Sequence, residues 1–433
     1  MAARRLACEI LGQVIHSRQP LDDSLDADRG PAGLAELSDK DRALVRAILG
    51  TALRQRGRIA AILDRLLERP IPEKSGAVLD LLHVAATQIL FMEVPDRAAV
   101  ATAMEIAGAD PRIRRYKGLV NAVLRRAARD RETLLAETDQ PWRTAPVWMF
   151  ARWQKAHGEE TAQAIARMHL HEPNLDICVK ADPDLWAERL GATRIAGNTL
   201  RLTAHRGRVD ALPGYADGAW WVQDAAASLP ARLIGDVAGK RVADLCAAPG
   251  GKTAQLAAAG AAVTAVDISE TRLERLRANL ARLGLLAEIV AADLLTFEPA
   301  TPFDAILLDA PCTATGTIRR HPEVAWNRRK EDIAAFAERQ AALLERAAGW
   351  LAPGGVLVYC TCSLEPEEGE ARIAAFLADR PEFRRVPVDE NETGVPGSVT
   401  DAGDLRTLPC LLPRDPAAGG GLDGFFAARL KRV

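Results

Sequence analysis

Two cysteines stand where short apolar runs stop, a placement suited to nucleophilic chemistry. Cys312 follows LLDAP, Leu307–Pro311, and Cys362 follows VYCT, Val358–Thr361. Both runs have the length and composition of buried strands, so both thiols fall at strand ends. If the two strands are neighbours, the thiols face one cleft beside Asp309. A lone cysteine is usually a small buried hydrophobe, and Cys8, Cys178 and Cys410 are read that way. Cys360 points to the face opposite Thr361 and is assigned to packing. An ordinary thiol, with a pKa of ~8.5, is only a few per cent ionised at neutral pH, so a thiolate nucleophile needs a cationic or polar pocket, with Lys252 as the candidate contributor. Zinc is disfavoured: Cys312, Cys360 and Cys362 lack a second C-x2-C pair, and His321, in RRHPEV, is not at ligand spacing. No metal is expected.

A second group of residues has the form of a nucleoside pocket. DLCAAPGGKT, Asp244–Thr253, ends one apolar run and leads into the Ala-rich run Ala254–Ala259. Gly250 and Gly251 allow a tight turn and let a ligand approach backbone N–H groups at a helix start, which favours an anionic group. The spacing is neither G-x-G-x-x-G nor G-x-x-x-x-G-K-[ST], so dinucleotide and P-loop readings are disfavoured. The next run ends at Asp267, 23 positions after Asp244, where a carboxylate can accept both ribose hydroxyls of an adenosine. The third ends at Asp293, placed to receive an adenine amino group. Singly, such aspartates are more often helix caps or turn formers; at successive strand ends on the carboxyl edge of an open sheet they point to a ligand site. The residues assigned to that site are Cys246, Ala247, Ala248, Pro249, Gly250, Gly251, Lys252, Asp267, Asp293 and Asp309.

These residues need a parallel α/β sheet beneath them. Arg241–Leu245, Ala262–Val266, Ala287–Ala291, Ala305–Leu308 and Val356–Tyr359 are short apolar runs separated by helical segments, the alternation of a doubly wound sheet. A Pro- and Gly-rich stretch, Val395–Gly424, precedes a last strand-like run, Phe425–Leu430, expected to return antiparallel at the sheet edge. Ahead of this domain, residues 1–135 carry helical periodicity throughout, with starts at Ser38–Asp39 and after Pro72. Residues 136–236 mix helical and strand signals, including Leu175–Val179, and read as a connector. The expected domains are 1–135, 136–236 and 237–433.

Composition narrows the class. A chain of 433 residues, 48% hydrophobic and 26% charged, is neither disordered nor fibrous. Net charge is −2, yet residues 1–135 hold 22 Lys and Arg against 18 Asp and Glu, a balance of +4. Within them Asp110–Glu132 concentrates Arg112, Arg114, Arg115, Lys117, Arg125, Arg126, Arg129 and Arg131. Such a face can neutralise phosphates, and it can equally be a solvated Arg-rich surface. An odd number of scattered cysteines is unlike a secreted disulfide framework. With neither a signal-peptide run nor a membrane-spanning one, the expectation is a cytoplasmic chain with no membrane partner.

DLCAAPGGKT, LLDAPCTATGTIRRHPEVAW (Leu307–Trp326) and CTCSLEPEEGE (Cys360–Glu370) resemble, nearly word for word, bacterial RNA cytosine-5 methyltransferases of the Fmu/Sun group. The likeness spans the chain: KGLVNAVLRRAAR, Lys117–Arg129, resembles the end of that group's NusB-like helical domain, and GLDGFFAARL, Gly421–Leu430, its last strand. One departure is NLDICVK, Asn174–Lys180, where relatives show an L-R-V-N-like sequence. The resemblance implies a Rossmann-like S-adenosylmethionine-dependent methyltransferase domain preceded by an all-α NusB-like domain and a small α+β connector. It also implies methyl transfer to carbon 5 of a cytidine in 16S small-subunit ribosomal RNA, by a monomer. Carbon 5 is too weak a nucleophile on its own, so a thiolate first adds to carbon 6; the family's nucleophile falls on Cys362. Asp309 matches the residue that hydrogen-bonds N3, a role that requires a protonated carboxyl, which burial against the base would favour. Cys312 matches the residue of the release step, as base or as positioning group. RNA contacts are expected from Arg112, Arg114, Arg115, Lys117, Arg125, Arg126, Arg320 and His321, the last equally suited to capping a helix. The competing readings are the same chemistry on transfer RNA and a non-catalytic RNA-binding assembly factor. A DNA methyltransferase is disfavoured because that family uses the Pro-Cys cysteine as nucleophile.

Overall fold

The computed structural model describes the chain except residues 27, 28, 73, 74, 76, 204–206 and 413–419. Part of the Pro- and Gly-rich stretch 395–424 therefore lies outside the described residues. The chain forms two compact units, Met1–Lys155 with His321–Arg328, and Ala156–Arg320 with Arg329–Val433.

The first unit is helical. Its principal helices are α1 (Ala2–His16), α2 (Asp39–Arg54), α3 (Arg56–Leu66), α4 (Val78–Phe91), α5 (Asp96–Ala109) and α6 (Lys117–Arg129). Ser38 caps α2, its Oγ accepting from Asp41 N at 3.2 Å, which satisfies one of the otherwise orphaned first-turn donors. Helix α4 is buried on almost every side, from Val78 to Leu90, as an apolar helix at the centre of a bundle must be. Helix α6 buries Val120, Val123, Leu124 and Ala127 and leaves Arg125, Arg126 and Arg129 exposed. Trp326, from the returning segment, packs on this core and donates from Nε1 to Leu53 O at 2.9 Å.

The second unit contains a four-stranded antiparallel sheet made of β1 (Leu175–Val179), β2 (Thr193–Ala196), β3 (Thr199–Leu202) and β4 (Trp220–Val222), in the order β2-β3-β1-β4. Helix α7 (Ala225–Arg232) then leads to the large sheet. Its elements are β5 (Arg241–Leu245), α8 (Gly251–Ala258), β6 (Ala262–Asp267), α9 (Glu270–Leu283), β7 (Glu288–Ala291), β8 (Phe303–Asp309), α10 (Lys330–Gly349), β9 (Leu351–Thr361), α11 (Glu370–Asp379), β10 (Phe383–Arg385), β11 (Leu405–Thr407) and β12 (Phe425–Arg432). The order is β10-β12-β9-β8-β5-β6-β7, with β11 also paired to β12. Strands β5 to β9 run parallel, and β12 returns antiparallel to β9. The expected direction of the last strand holds, but its expected place at the edge does not. Strand β12 lies inside the sheet, because β10 and β11 pair along its far side. Phe426, Ala427 and Ala428 are consequently buried on both faces. No helix among the described residues is long and apolar enough to cross a membrane.

Across β1 and β3, Asp176 stands opposite Arg201. The carboxylate takes two bonds of 2.7 Å from the guanidinium and a third from Ala225 N at 3.1 Å. Both side chains are buried, so removal of either strands a charge without a partner. Asp176→Ala is expected to lower stability by about 3–5 kcal/mol, read as a reduced urea midpoint; a loss below about 1 kcal/mol would equate the pair with a surface ion pair.

Candidate active site

The turn after β5 shapes one half of the site. Gly250 has φ +102°, a conformation L side chains rarely adopt, and a Cβ there would lie 2.8 Å from Leu276 Cγ. With Gly250 left-handed, helix α8 begins at once and its first N–H groups face the carboxyl edge of the sheet. Asp267, at the end of β6, accepts from Ala248 N at 3.1 Å and from Ser269 N at 2.9 Å, with Arg272 Nη1 at 3.2 Å. These bonds fix the 246–251 turn and leave lone pairs for a ligand. Asp293 lies just past β7, where Oδ1 accepts from Leu295 N at 3.0 Å and forms the local turn. Ile268, 59% exposed beside Asp267, adds apolar surface that a planar base can cover; its sequence context, a single isoleucine in a loop, carries no signal of that role.

Asp244, which the sequence marks only as the end of a strand, is fully buried, with Oδ2 accepting from Thr253 Oγ1 at 2.6 Å and Oδ1 buried without a protein partner. Burial pushes its carboxyl up to about 7, against the Thr253 hydrogen bond that favours the charged form. An orphaned acceptor at the ligand edge fits a cationic ligand group. The amino-acid ammonium of S-adenosylmethionine is such a group, so the residues present suit that cofactor.

The other half comes from β8 and β9. These strands are parallel neighbours with Asp309 opposite Cys360. Ala310 N donates to Cys360 O at 2.9 Å, and Gly316 N to Cys362 O at 3.0 Å, so the loop after β8 lies along the end of β9. A Cβ on Gly316 would stand 1.9 Å from Gly424 O, so glycine is required where this loop meets the start of β12. The sulfurs of Cys312 and Cys362 are 3.4 Å apart. The hydrogen bond to Cys362 and burial together push the Cys312 thiol well above its ordinary value, so Cys312 holds its proton beside the Cys362 sulfur.

Lys252 and Asp309 form an ion pair, Nζ to Oδ2 2.8 Å. Lys252 is buried and lies 5.0 Å from the centre of the Phe425 ring. Although burial acts to lower it, Asp309 and its anionic neighbours hold the ammonium above the usual lysine range. Lys252 is therefore engaged with Asp309, the residue expected to face N3 of the base. Cys360, expected to serve packing alone, is buried and also directs its Sγ at Asp309 Oδ1, at 3.6 Å. Arg320 interacts electrostatically with Cys362.

The basic residues separate into two groups. Arg112, Arg114, Arg115, Lys117, Arg125 and Arg126 are all exposed on the helical unit. Several are steadied locally: Arg112 by Asp110, Arg115 over the Tyr116 ring, and Arg126 by Leu66 O at 3.1 Å. Arg320 is exposed, with its Nε donating to Asp423 Oδ2 at 2.6 Å. Its neighbour Arg319 is buried and bonded to Asp224 Oδ2 at 2.9 Å. His321 lies in the segment returning to the helical unit, 3.8 Å from both Asp22 Oδ2 and Glu323 Oε1. Among the described residues no cluster of His, Cys, Asp and Glu is arranged to hold a metal ion.

A family model described as "16S rRNA methyltransferase RsmB/F" matches residues 233–431, and one described as "NusB family" matches residues 1–129. The chain is similar to the ribosomal RNA small subunit methyltransferase B of Klebsiella pneumoniae, 39% identical over 99% of this chain and 97% of that protein. It is 36% identical to the protein of the same name from Vibrio cholerae, over 100% of this chain and 98% of that one. The crystal structure of PH0851 shares the fold, with a TM-score of 0.76 at 23% identity, covering 99% of this chain and 98% of that one.

An ammonium bound at Asp244 requires the carboxylate, so below its pKa binding must first expel a proton. Affinity for S-adenosylmethionine is expected to be about tenfold weaker at pH 6 than at pH 8. Calorimetric titration of Asp244→Asn should give weaker, pH-independent binding; an unchanged pH dependence in that variant would remove Asp244 from the site.

Proposed function

The chain belongs to the family of ribosomal RNA small subunit methyltransferase B, and from that premise we propose that it methylates carbon 5 of a cytidine in 16S small-subunit ribosomal RNA through a covalent adduct with Cys362. The family is S-adenosylmethionine-dependent, and the cofactor supplies the methyl group on its sulfonium. The observation that carries the reading is the pair of thiols 3.4 Å apart, next to the Lys252–Asp309 ion pair, on the edge of the sheet where the cofactor turn also lies.

Each residue has a part in this chemistry. The Cys362 thiolate adds to carbon 6, and the electron pair of the C5–C6 double bond moves toward carbon 5 and the ring. The Cys312 thiol, directed at the Cys362 sulfur, stabilises that thiolate before attack. Charge developing at N3 is met by a proton from the Lys252–Asp309 pair, with Asp309 facing the base and Lys252 behind it. Charge stabilisation of this kind is strongest in a site closed to water. Once carbon 5 carries the methyl group, its proton passes to solvent, the electrons of that C–H bond restore the double bond and expel the Cys362 thiolate, and the proton lent to N3 returns to the Lys252–Asp309 pair. Cys312 serves this release. The target base must stand out of its stack to reach both thiols. Arg112, Arg114, Arg115, Lys117, Arg125 and Arg126 are proposed to bind phosphates from the helical unit.

Transfer of labelled methyl to protein-free small-subunit rRNA and to bulk transfer RNA, with base-resolved mapping, tests the reading. Wild type is expected to form 5-methylcytidine in the rRNA, Cys362→Ala none, and Cys312→Ala a protein–RNA adduct that persists. Methylation of transfer RNA alone would leave the chemistry and overturn the substrate; activity in Cys362→Ala would overturn the mechanism. Arg125→Ala with Arg126→Ala should weaken RNA binding and reduce the slope of log affinity against log salt by about 1 for each phosphate no longer neutralised. Cofactor affinity should be unchanged, and an unaltered slope would leave this face as a solvated surface.

A further inference from the structure

A hydroxyl residue follows each of the two cysteines, Thr313 after Cys312 and Ser363 after Cys362, and one carboxylate binds both. Glu368 ends the single turn Pro366–Glu368 and is fully buried. Its Oε1 accepts from Thr313 N at 2.9 Å and from Gln340 Nε2 at 2.9 Å. Its Oε2 accepts from Thr313 Oγ1 and from Ser363 Oγ. The two hydroxyls are 3.1 Å apart. The buried Gln340 also donates to Pro311 O at 2.9 Å, on the other side of Cys312. The carbonyl of Glu368 accepts from Tyr359 OH at 2.9 Å and from Thr361 Oγ1 at 3.2 Å, which ties the turn to β9.

A buried carboxylate is costly unless its lone pairs are met, and here four neutral donors meet them. All four come from the loop around Cys312, from the residue after Cys362, or from the helix behind them. The two loops leave different strands and their cysteines are 50 positions apart, so a side chain that reaches both sets one against the other. The chemistry has a matching demand. Carbons 5 and 6 are bonded neighbours, so the thiol that attacks and the thiol that assists release have to be held at a fixed separation.

We propose that Glu368 is the positioning residue that sets the Cys312–Cys362 separation, by clamping Thr313 and Ser363 with one carboxylate. The proposal rests on the reaction described under Proposed function. The negative charge of Glu368 also adds to the effects of Cys362 and burial that keep the Cys312 proton in place. Thr313, which Glu368 holds, is bonded directly to Cys312, so a loosened clamp shifts the sulfur by a fraction of an ångström to an ångström, enough to cost on the order of 10- to 100-fold in a step that depends on alignment.

The test uses full-length Glu368→Gln, Glu368→Ala and the double variant Thr313→Val with Ser363→Ala. Rates of forming and of releasing the covalent protein–rRNA adduct are measured separately, with cofactor affinity and Tm alongside. Release relative to formation is expected to fall by roughly 10- to 100-fold in all three, with cofactor affinity within about twofold of wild type. A purely structural role would lower both rates together, in step with the folded fraction, and an unchanged ratio overturns the proposal. If Glu368 variants fail to fold, the double variant decides by the same ratio. Wild type that forms no adduct, or Cys362→Ala that still methylates, would overturn the reaction and the proposal with it. Adduct formation by wild type with an unaltered ratio in the variants overturns the proposal alone.

Discussion

Parallel pairing of β8 with β9, in the register that sets Asp309 opposite Cys360, brings two loops from distant parts of the sequence to one edge of the sheet. Neither loop could position a thiol unaided, because a loop fixed only at its ends leaves its side chains free to move by more than the chemistry tolerates. The strand ladder continues into the loops through Ala310 N to Cys360 O and Gly316 N to Cys362 O. Gly424 N, from the start of β12, then donates to Gly316 O at 2.8 Å. The cysteine loops thus inherit the rigidity of the sheet, and the interior place of β12 matters for the same reason.

Buried polar groups do the remaining work of alignment. Lys252 reaches from the cofactor turn to Asp309 on β8, so the two halves of the site are joined by an ion pair. Glu368 joins the cysteine loops. Asp224 caps α7 through Ala226 N at 2.9 Å and also receives Arg319 and Asp423 N, which anchors the chain on either side of the reactive loops. Each group would be costly alone, and each is met by donors from elements far apart in sequence. Networks of that sort favour one arrangement of the loops over others. Asp244 keeps one oxygen without a protein partner, at the place where a ligand ammonium is expected.

The residue types, their order and their local pattern were legible from the chain itself. Strands β1, β5 to β9 and β12 were recognisable from short apolar runs, and the helical character of residues 1–135 from the spacing of leucines, isoleucines and valines. The Pro-Gly-Gly turn, the aspartates at strand ends and the two cysteine motifs were equally plain, because glycine's backbone freedom and thiol chemistry are properties of the residues. The short strands β2, β3, β4, β10 and β11 were not distinguished; runs of three or four residues carry too little periodicity to separate from turns.

Only the tertiary structure decided which partner each charged or polar side chain takes. Lys252 takes Asp309 as its partner, and the exposed Arg320 takes Asp423. Cys360 looked like packing and points its thiol at Asp309. Glu368 was in plain view within CTCSLEPEEGE, yet nothing in that string says that its carboxylate meets Thr313, 55 positions earlier. Hydrophobic periodicity records which face of an element is buried, and so gives the layers of a fold. Hydrogen bonds and ion pairs depend on distances of a few tenths of an ångström between elements remote in sequence, and those are settled only when the sheet is assembled.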